Sequence, residues 1–185
     1  MDAVVIHNGV DLSIFSPGKM SRSAFSDSGL RCLVAGRVAP EKGIHTVIEA
    51  FRLLGSKTDI SLTILGDGPI DYAAHLKKQV ETHKLHNNVK FEPPIPRSRM
   101  PEKLTDYDVL IFPSEWEEPI SRSMQEAMAM GLLVVGTNTG GSGELLIHEQ
   151  TGLVFEAANA QSLARRLQWA LSNRKSAAGL ARAGQ

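Results

Sequence analysis

Short apolar runs recur along this chain, and each is followed by an amphipathic stretch. RCLVAG precedes GIHTVIEAFRLL, SLTILG precedes DYAAHLKKQVETHKL, and NVKFE precedes RSRMPEKLTDY. DVLIFPS then precedes SRSMQEAMAM, LLVVGT precedes GSGELLI, and GLVF precedes AQSLARRLQWAL. The cores LVAG, LTILG, VLIF and LLVV are nearly continuous in apolar residues instead of alternating, as expected of strands covered on both faces. In GIHTVIEAFRLL the residues Ile44, Val47, Ile48, Phe51 and Leu54 fall at helical spacing, so one face of that helix packs on a sheet. Repeated β-to-α alternation predicts an α/β fold: a single Rossmann-like domain, with a parallel sheet and helices on both faces.

At 185 residues the chain suits one domain with a full core. Lysine plus arginine and aspartate plus glutamate number 20 each, so no global field draws the chain to nucleic acid or to an anionic membrane. Any anion must be captured locally. The single cysteine, Cys32, excludes a disulfide framework and reads as a small buried hydrophobe of a reducing compartment. No apolar stretch approaches the roughly 20 residues of a membrane span, and no signal-peptide pattern opens the chain, which predicts a cytoplasmic protein. Met1 leads directly into a predicted strand, AVVIHNGV, and SAAGLARAGQ trails off with helical composition, as though both ends were cut. SPGKMSRSAFSDSG reads as a loop.

Unusual chemistry gathers where predicted strands end and helices begin, which in parallel α/β sheets is where ligands settle. RCLVAG ends in Gly36-Arg37-Val38-Ala39-Pro40-Glu41-Lys42-Gly43, placing Arg37 and Lys42 beside a helix N-terminus whose free N–H groups favour an anion such as a diphosphate. Two solvated loop cations are the bland alternative. The segment is not a P-loop, because G-x-x-x-x-G-K-S/T is absent. Gly66 and Gly68 in LGDGP allow close backbone approach, but position 71 is Asp71, so the dinucleotide fingerprint G-x-G-x-x-G is incomplete and a nicotinamide enzyme is disfavoured. Thr139-Gly140-Gly141-Ser142-Gly143-Glu144 is either a flexible turn or a cluster of N–H donors.

Glu118 and Glu126, separated by seven residues, span the junction between DVLIFPS and MQEAMAM. On one continuous helix they would share a face about 12 Å apart, suited to a polyhydroxy ligand. A helix starting near Ser121 would instead leave Glu118 on the preceding loop. Glu115, Glu117 and Glu118 make a small acidic cluster, and the six histidines form no metal-binding pair, so no metal site is predicted. No G-x-S-x-G nucleophile elbow occurs.

These residues, in this order, resemble the C-terminal, nucleotide-sugar-binding half of retaining glycosyltransferases with the GT-B fold, closest to family 4. VIHNGVDLSIFSP is similar to that family's interdomain segment, and LVAGRVAPEKGIHTVIEAF to its GR-x-x-x-x-KG phosphate loop. LTILGDGP resembles its G-x-G turn, and DVLIFPSEWEEPISRSMQEAMAMGLLVVGTNTGGSGELL its paired glutamates and GG-x-x-E helix start. The resemblance implies one donor-binding domain over residues 1–185, led by an interdomain segment 1–29, with the acceptor-binding N-terminal domain absent. It implies that Arg37 and Lys42 neutralise the departing diphosphate, that Glu118 holds the transferred sugar, and that Glu126 holds the ribose. Ile120, Ser121 and Arg122 would supply backbone N–H groups, Gly36, Gly66 and Gly68 would allow close approach, and Pro94 and Ile95 would face the nucleobase. The implied donor is a nucleoside-diphosphate sugar, with no cofactor or divalent metal. The acceptor is unidentified, and peripheral membrane association of a longer protein stays open. Two departures stand out: Ser121 where the family has glycine, and His7 where it has proline.

Overall fold

The computed structural model describes residues 9–16, 25 and 29–185. Six strands form one parallel sheet: β1 (Leu30–Ala35), β2 (Ile60–Leu65), β3 (Val89–Glu92), β4 (Val109–Phe112), β5 (Leu133–Gly136) and β6 (Leu153–Val154). Their order is β3-β2-β1-β4-β5-β6, so the winding reverses between β1 and β4. Six helices follow the strands: α1 (Ile44–Leu54), α2 (Ile70–Thr82), α3 (Met100–Leu104), α4 (Arg122–Ala129), α5 (Ala160–Ser172) and α6 (Arg174–Ala183).

The continuous apolar runs are explained by burial on two sides, since successive strand side chains point to opposite faces. Cys32 and Val34 of β1, Val109 and Ile111 of β4, and Leu133 and Val135 of β5 enter one core layer, with Phe51 of α1, Leu76 of α2, Leu167 of α5 and Ala177 of α6. Leu33, Leu110, Phe112 and Val134 enter the other layer, with Leu104 of α3 and Met124 of α4. Each fully buried aliphatic or aromatic side chain contributes roughly 1.5–3 kcal/mol by leaving water. Cys32 is completely buried in β1, and burial pushes its thiol pKa far up, so it serves as packing.

The helix expected from GSGELLI is a correction: a 3-10 turn, Gly140–Glu144, stands there. Its glycines leave little helical preference to be rescued by packing. RSRMPEKLTDY likewise forms a 3-10 turn, Arg97–Arg99, running into the short α3. The strand expected over residues 3–10 lies mostly outside the described residues, and Gly9 and Val10 are not in a strand. His7 and most of the loop at 16–29 also lie outside them.

β1 and β4 are pinned together at their N-terminal ends, away from the ligand edge. Arg31 donates from Nε and Nη2 to the Asp108 carboxylate at 3.0 and 2.9 Å, and the Arg31 backbone N–H adds a third bond at 2.9 Å. Asp108 is fully buried, whereas the Arg31 side chain keeps 33% of its exposure. Removing the cation strands a buried carboxylate. Arg31→Leu should therefore cost about 2–3 kcal/mol, below the full penalty for a buried pair because the guanidinium is partly solvated. The fall in the urea midpoint at unchanged slope measures this, and a loss under 1 kcal/mol would show the pair to be dispensable.

Candidate active site

Beyond Leu33 and Leu110, where the β1–β4 ladder ends, the two strands flank an opening. It holds a cavity of about 170 Å³ lined by Val34 and Ala35 from β1, Ile111 and Phe112 from β4, and the polar side chains of Arg37, Lys42, Ser114, Ser121 and Ser123. A larger cavity of about 490 Å³ adjoins it and shares Ala35, Gly36, Arg37 and Ser123. This second cavity reaches across Leu65 and Gly66 at the end of β2 to Pro94, Ile95, Arg97 and Met100, and Glu126 also lines it. The two form one cleft at the point where the winding reverses, the expected ligand position in such a sheet.

The cationic side of the cleft comes from the loop after β1. Lys42 ends a 3-10 turn, Pro40–Lys42, and its Nζ donates to Glu118 Oε1. Arg37 forms an i,i+4 pair with Glu41 at 2.9 Å, and its side chain remains 65% exposed, so it is free to turn toward a ligand. α4 adds a third electropositive element. Ser121 is its N-cap but makes no side-chain capping bond, and its Oγ instead meets Ser123 Oγ at 3.0 Å. The first-turn N–H groups of α4 thus lie beside the cavity uncapped by the Ser121 side chain, an arrangement that attracts anions.

Glu118 lies on the loop before α4, so the two glutamates do not share a continuous helix. Ser114 Oγ donates to Glu118 Oε1 at 2.5 Å, and the backbone of Ser114 is held in turn by Thr137 Oγ1, which donates to its carbonyl at 2.7 Å. The glycine run after β5 completes the mounting. Gly141 N–H donates to the Glu118 carbonyl at 2.8 Å. Gly140 has φ 58°, and a side chain on it would collide with the Glu118 backbone. That run therefore supports the carboxylate loop from below. Glu115 ties the same loop to α1 by accepting from Thr46 Oγ1 at 2.9 Å, with His45 Nε2 at 3.4 Å.

Glu126 is carried inward by α4 and is only 7% exposed. Its Oε1 accepts from Arg97 Nε at 2.9 Å. Of the other residues marked out in the sequence, Gly36, Gly66, Pro94, Ile95, Ser121 and Arg122 line the cleft with Arg37, Lys42 and Glu126. Gly68 and Ile120 are placed differently: a side chain on Gly68 would strike the Val38 carbonyl, and Ile120 packs by Gly141. Residues missed in the sequence are Ser114, Ser123, Arg97 and Met100. Ser114 carried a usable signal, a hydroxyl at a strand end four residues before Glu118.

The loop at 94–97 is flanked by an ion-pair tie between the end of β3 and α3. Lys103 of α3 and Lys90 bond Glu92 at 2.8 and 2.9 Å, and together they hold its carboxyl below the usual range. Among the described residues no three His, Cys, Asp or Glu side chains gather where a metal ion could sit, and no helix is long and apolar enough to cross a membrane.

Over 175 residues the chain is 33% identical to YtcC of Bacillus subtilis (strain 168), a candidate glycosyltransferase, covering 85% of this chain and 42% of that one. Anabaena Alr3699/HepE, solved in complex with UDP-glucose, superposes with a TM-score of 0.86 at 25% identity, over 98% of this chain and 51% of that chain. The C-terminal domain of the Francisella tularensis group 1 family protein LpcC superposes with a TM-score of 0.84 at 24% identity, over 95% of this chain and 94% of that one. The fold is thus that of a GT-B glycosyltransferase C-terminal domain, and the chain spans about half the length, or less, of YtcC and HepE. The model of the family described as Glycosyl transferases group 1 matches residues 19–185, and the chain belongs to that family.

Proposed function

We propose that the chain is the donor-binding half of a retaining family 4 glycosyltransferase, which moves a hexosyl group from a nucleoside-diphosphate sugar to an acceptor held by an N-terminal domain. One observation carries this reading: Arg37, Lys42 and Glu126 line a single cleft at the reversal of the sheet, and Glu118, which does not itself line it, is bonded by Lys42 and Ser114 of its wall. Cations there suit a diphosphate, and mounted carboxylates suit hydroxyls. HepE, with the same fold, was solved with UDP-glucose.

In this reading Arg37, Lys42 and the first turn of α4 take up the charge that develops on the departing diphosphate, each tenfold in rate corresponding to about 1.4 kcal/mol of transition-state stabilisation. Glu118 orients the sugar and Glu126 the ribose, while the base rests by Pro94 and Ile95. Protein cations do the neutralising, so we propose that no divalent metal or other cofactor is required. Residues 1–29 would form the link to the acceptor domain. The chain alone should bind a donor yet turn it over poorly, because no second domain excludes water or orients an acceptor.

Calorimetry with UDP, GDP and ADP, each with and without EDTA, tests this. Micromolar to millimolar binding of at least one, indifferent to EDTA, is expected; no heat from any at millimolar ligand would overturn the assignment. Ser121, a side chain where the resembling family has none, favours one other reading: a nucleotide-binding module without turnover. Activity of the full-length protein decides between the two.

A further inference from the structure

Arg97 touches both the acidic wall of the larger cavity and the segment that leads into the fold. Its Nε donates to Glu126 Oε1 at 2.9 Å, and its guanidinium stands 5.7 Å from the centroid of the Phe15 ring. Phe15 is only 1% exposed and belongs to the second core layer, so it offers a fixed platform for the cation. Glu126, 7% exposed, needs a counter-charge at that depth, and Arg97 is its ion-pair partner among the described residues. The Arg97 side chain is 54% exposed and lines the same cavity, so it orients Glu126 from the edge without filling the space.

We propose that Arg97 is a positioning residue for ribose selection. Its Nε occupies Oε1, the Phe15 ring holds the guanidinium from behind, and Glu126 Oε2 is thereby left to accept from a ribose hydroxyl. This rests on the reading of Glu126 as the ribose ligand and deepens it: the site selects ribonucleoside over deoxyribonucleoside diphosphates, and Arg97 sets that preference without touching the ligand. The planar guanidinium, held against the Phe15 ring, aims its Nε–H at Oε1 in one orientation, which a flexible ammonium does less well.

The test is a cycle that combines changes in protein and ligand. Affinities for UDP, GDP or ADP, whichever binds, and for its 2′,3′-dideoxy form are measured by calorimetry for the wild type, R97M, R97K and E126Q. The wild type should prefer the ribose form about tenfold or more, the equivalent of one charge-assisted hydrogen bond. R97M, which keeps an apolar stem over Phe15, should lower that preference to about threefold or less, while affinity for the dideoxy form stays nearly constant. R97K should restore part of the preference, and R97M added to E126Q should change nothing further. R97A repeats the measurement if R97M does not fold. Equal weakening of both ligand forms by R97M, or additive effects with E126Q, would overturn the proposal while leaving the donor-site reading intact. A wild type that binds no nucleotide would instead remove the reading itself, and one that binds without ribose preference would remove the role of Glu126 and this proposal together.

Discussion

Lys42→Ala should weaken UDP binding about 10- to 150-fold, the equivalent of roughly 1.5–3 kcal/mol for a charge-assisted bond. Two effects act in the same direction. The ammonium that would meet the diphosphate is lost, and Glu118, which it neutralises in the free protein, is left beside the proposed phosphate position with Ser114 as its remaining side-chain donor among the described residues. Coulomb repulsion between that carboxylate and an incoming diphosphate then adds to the deficit. Uridine, which has no phosphate, should bind the variant nearly as well as the wild type. Glu118→Gln carries the opposite sign for the bare nucleotide: it frees Lys42 and should tighten UDP a few-fold, while reducing the advantage of a UDP-sugar over UDP. Calorimetry on the three ligands reads all of these. Equal loss of uridine and UDP in Lys42→Ala would remove the phosphate role.

The second large effect concerns stability. Gly66 has φ 148°, and a Cβ there would overlap the carbonyl oxygen of Gly36 on the neighbouring strand end. The two glycines abut because the Gly36 N–H bonds Leu65 O and the Gly66 N–H bonds Glu92 O, both at 3.0 Å, so neither strand end can retreat without losing a ladder bond. Gly66→Ala combines a backbone clash with a strained dihedral, each worth about 1–3 kcal/mol, for an expected total of about 3–5 kcal/mol. For a domain of this size the unfolding midpoint should fall on the order of 10 °C. Gly179→Ala provides the control: in α6, with nothing near its missing side chain, it should be stabilising by roughly 0.5–1 kcal/mol. A Gly66→Ala melt within 2 °C of the wild type would mean, at about 2–4 °C per kcal/mol, that the strand ends yield easily.

Much of the fold was legible because strand burial leaves a direct mark in the sequence. Val109 to Phe112 reads as an unbroken apolar run because alternate residues serve opposite core layers. The turn after β5 was misread as a helix because Leu145 and Leu146 suggest an apolar face, although the glycines before them forgo helical preference. In the site, Arg37 and Lys42 could be placed from sequence, since both follow a recognisable strand within a few residues. The position of Glu118 was left open between helix and loop. Pro119 held the deciding signal, because the residue before a proline is pushed out of the helical region, so α4 could not begin at Glu118. The Arg97–Glu126 pair was beyond reach: the partners lie 29 residues apart, and only tertiary packing brings the 3-10 turn onto α4.

The hydrogen-bonded contact of β1 with β4 stops at Leu33 and Leu110, whereas β1 follows β2 all the way to Ala35. The mouth of the cleft is therefore drawn, among the described residues, by main-chain register. Changes that zip those two strands a residue or two further would narrow the chamber without substituting any charged group, a way of silencing such a domain that a survey of its ionic residues alone would never notice.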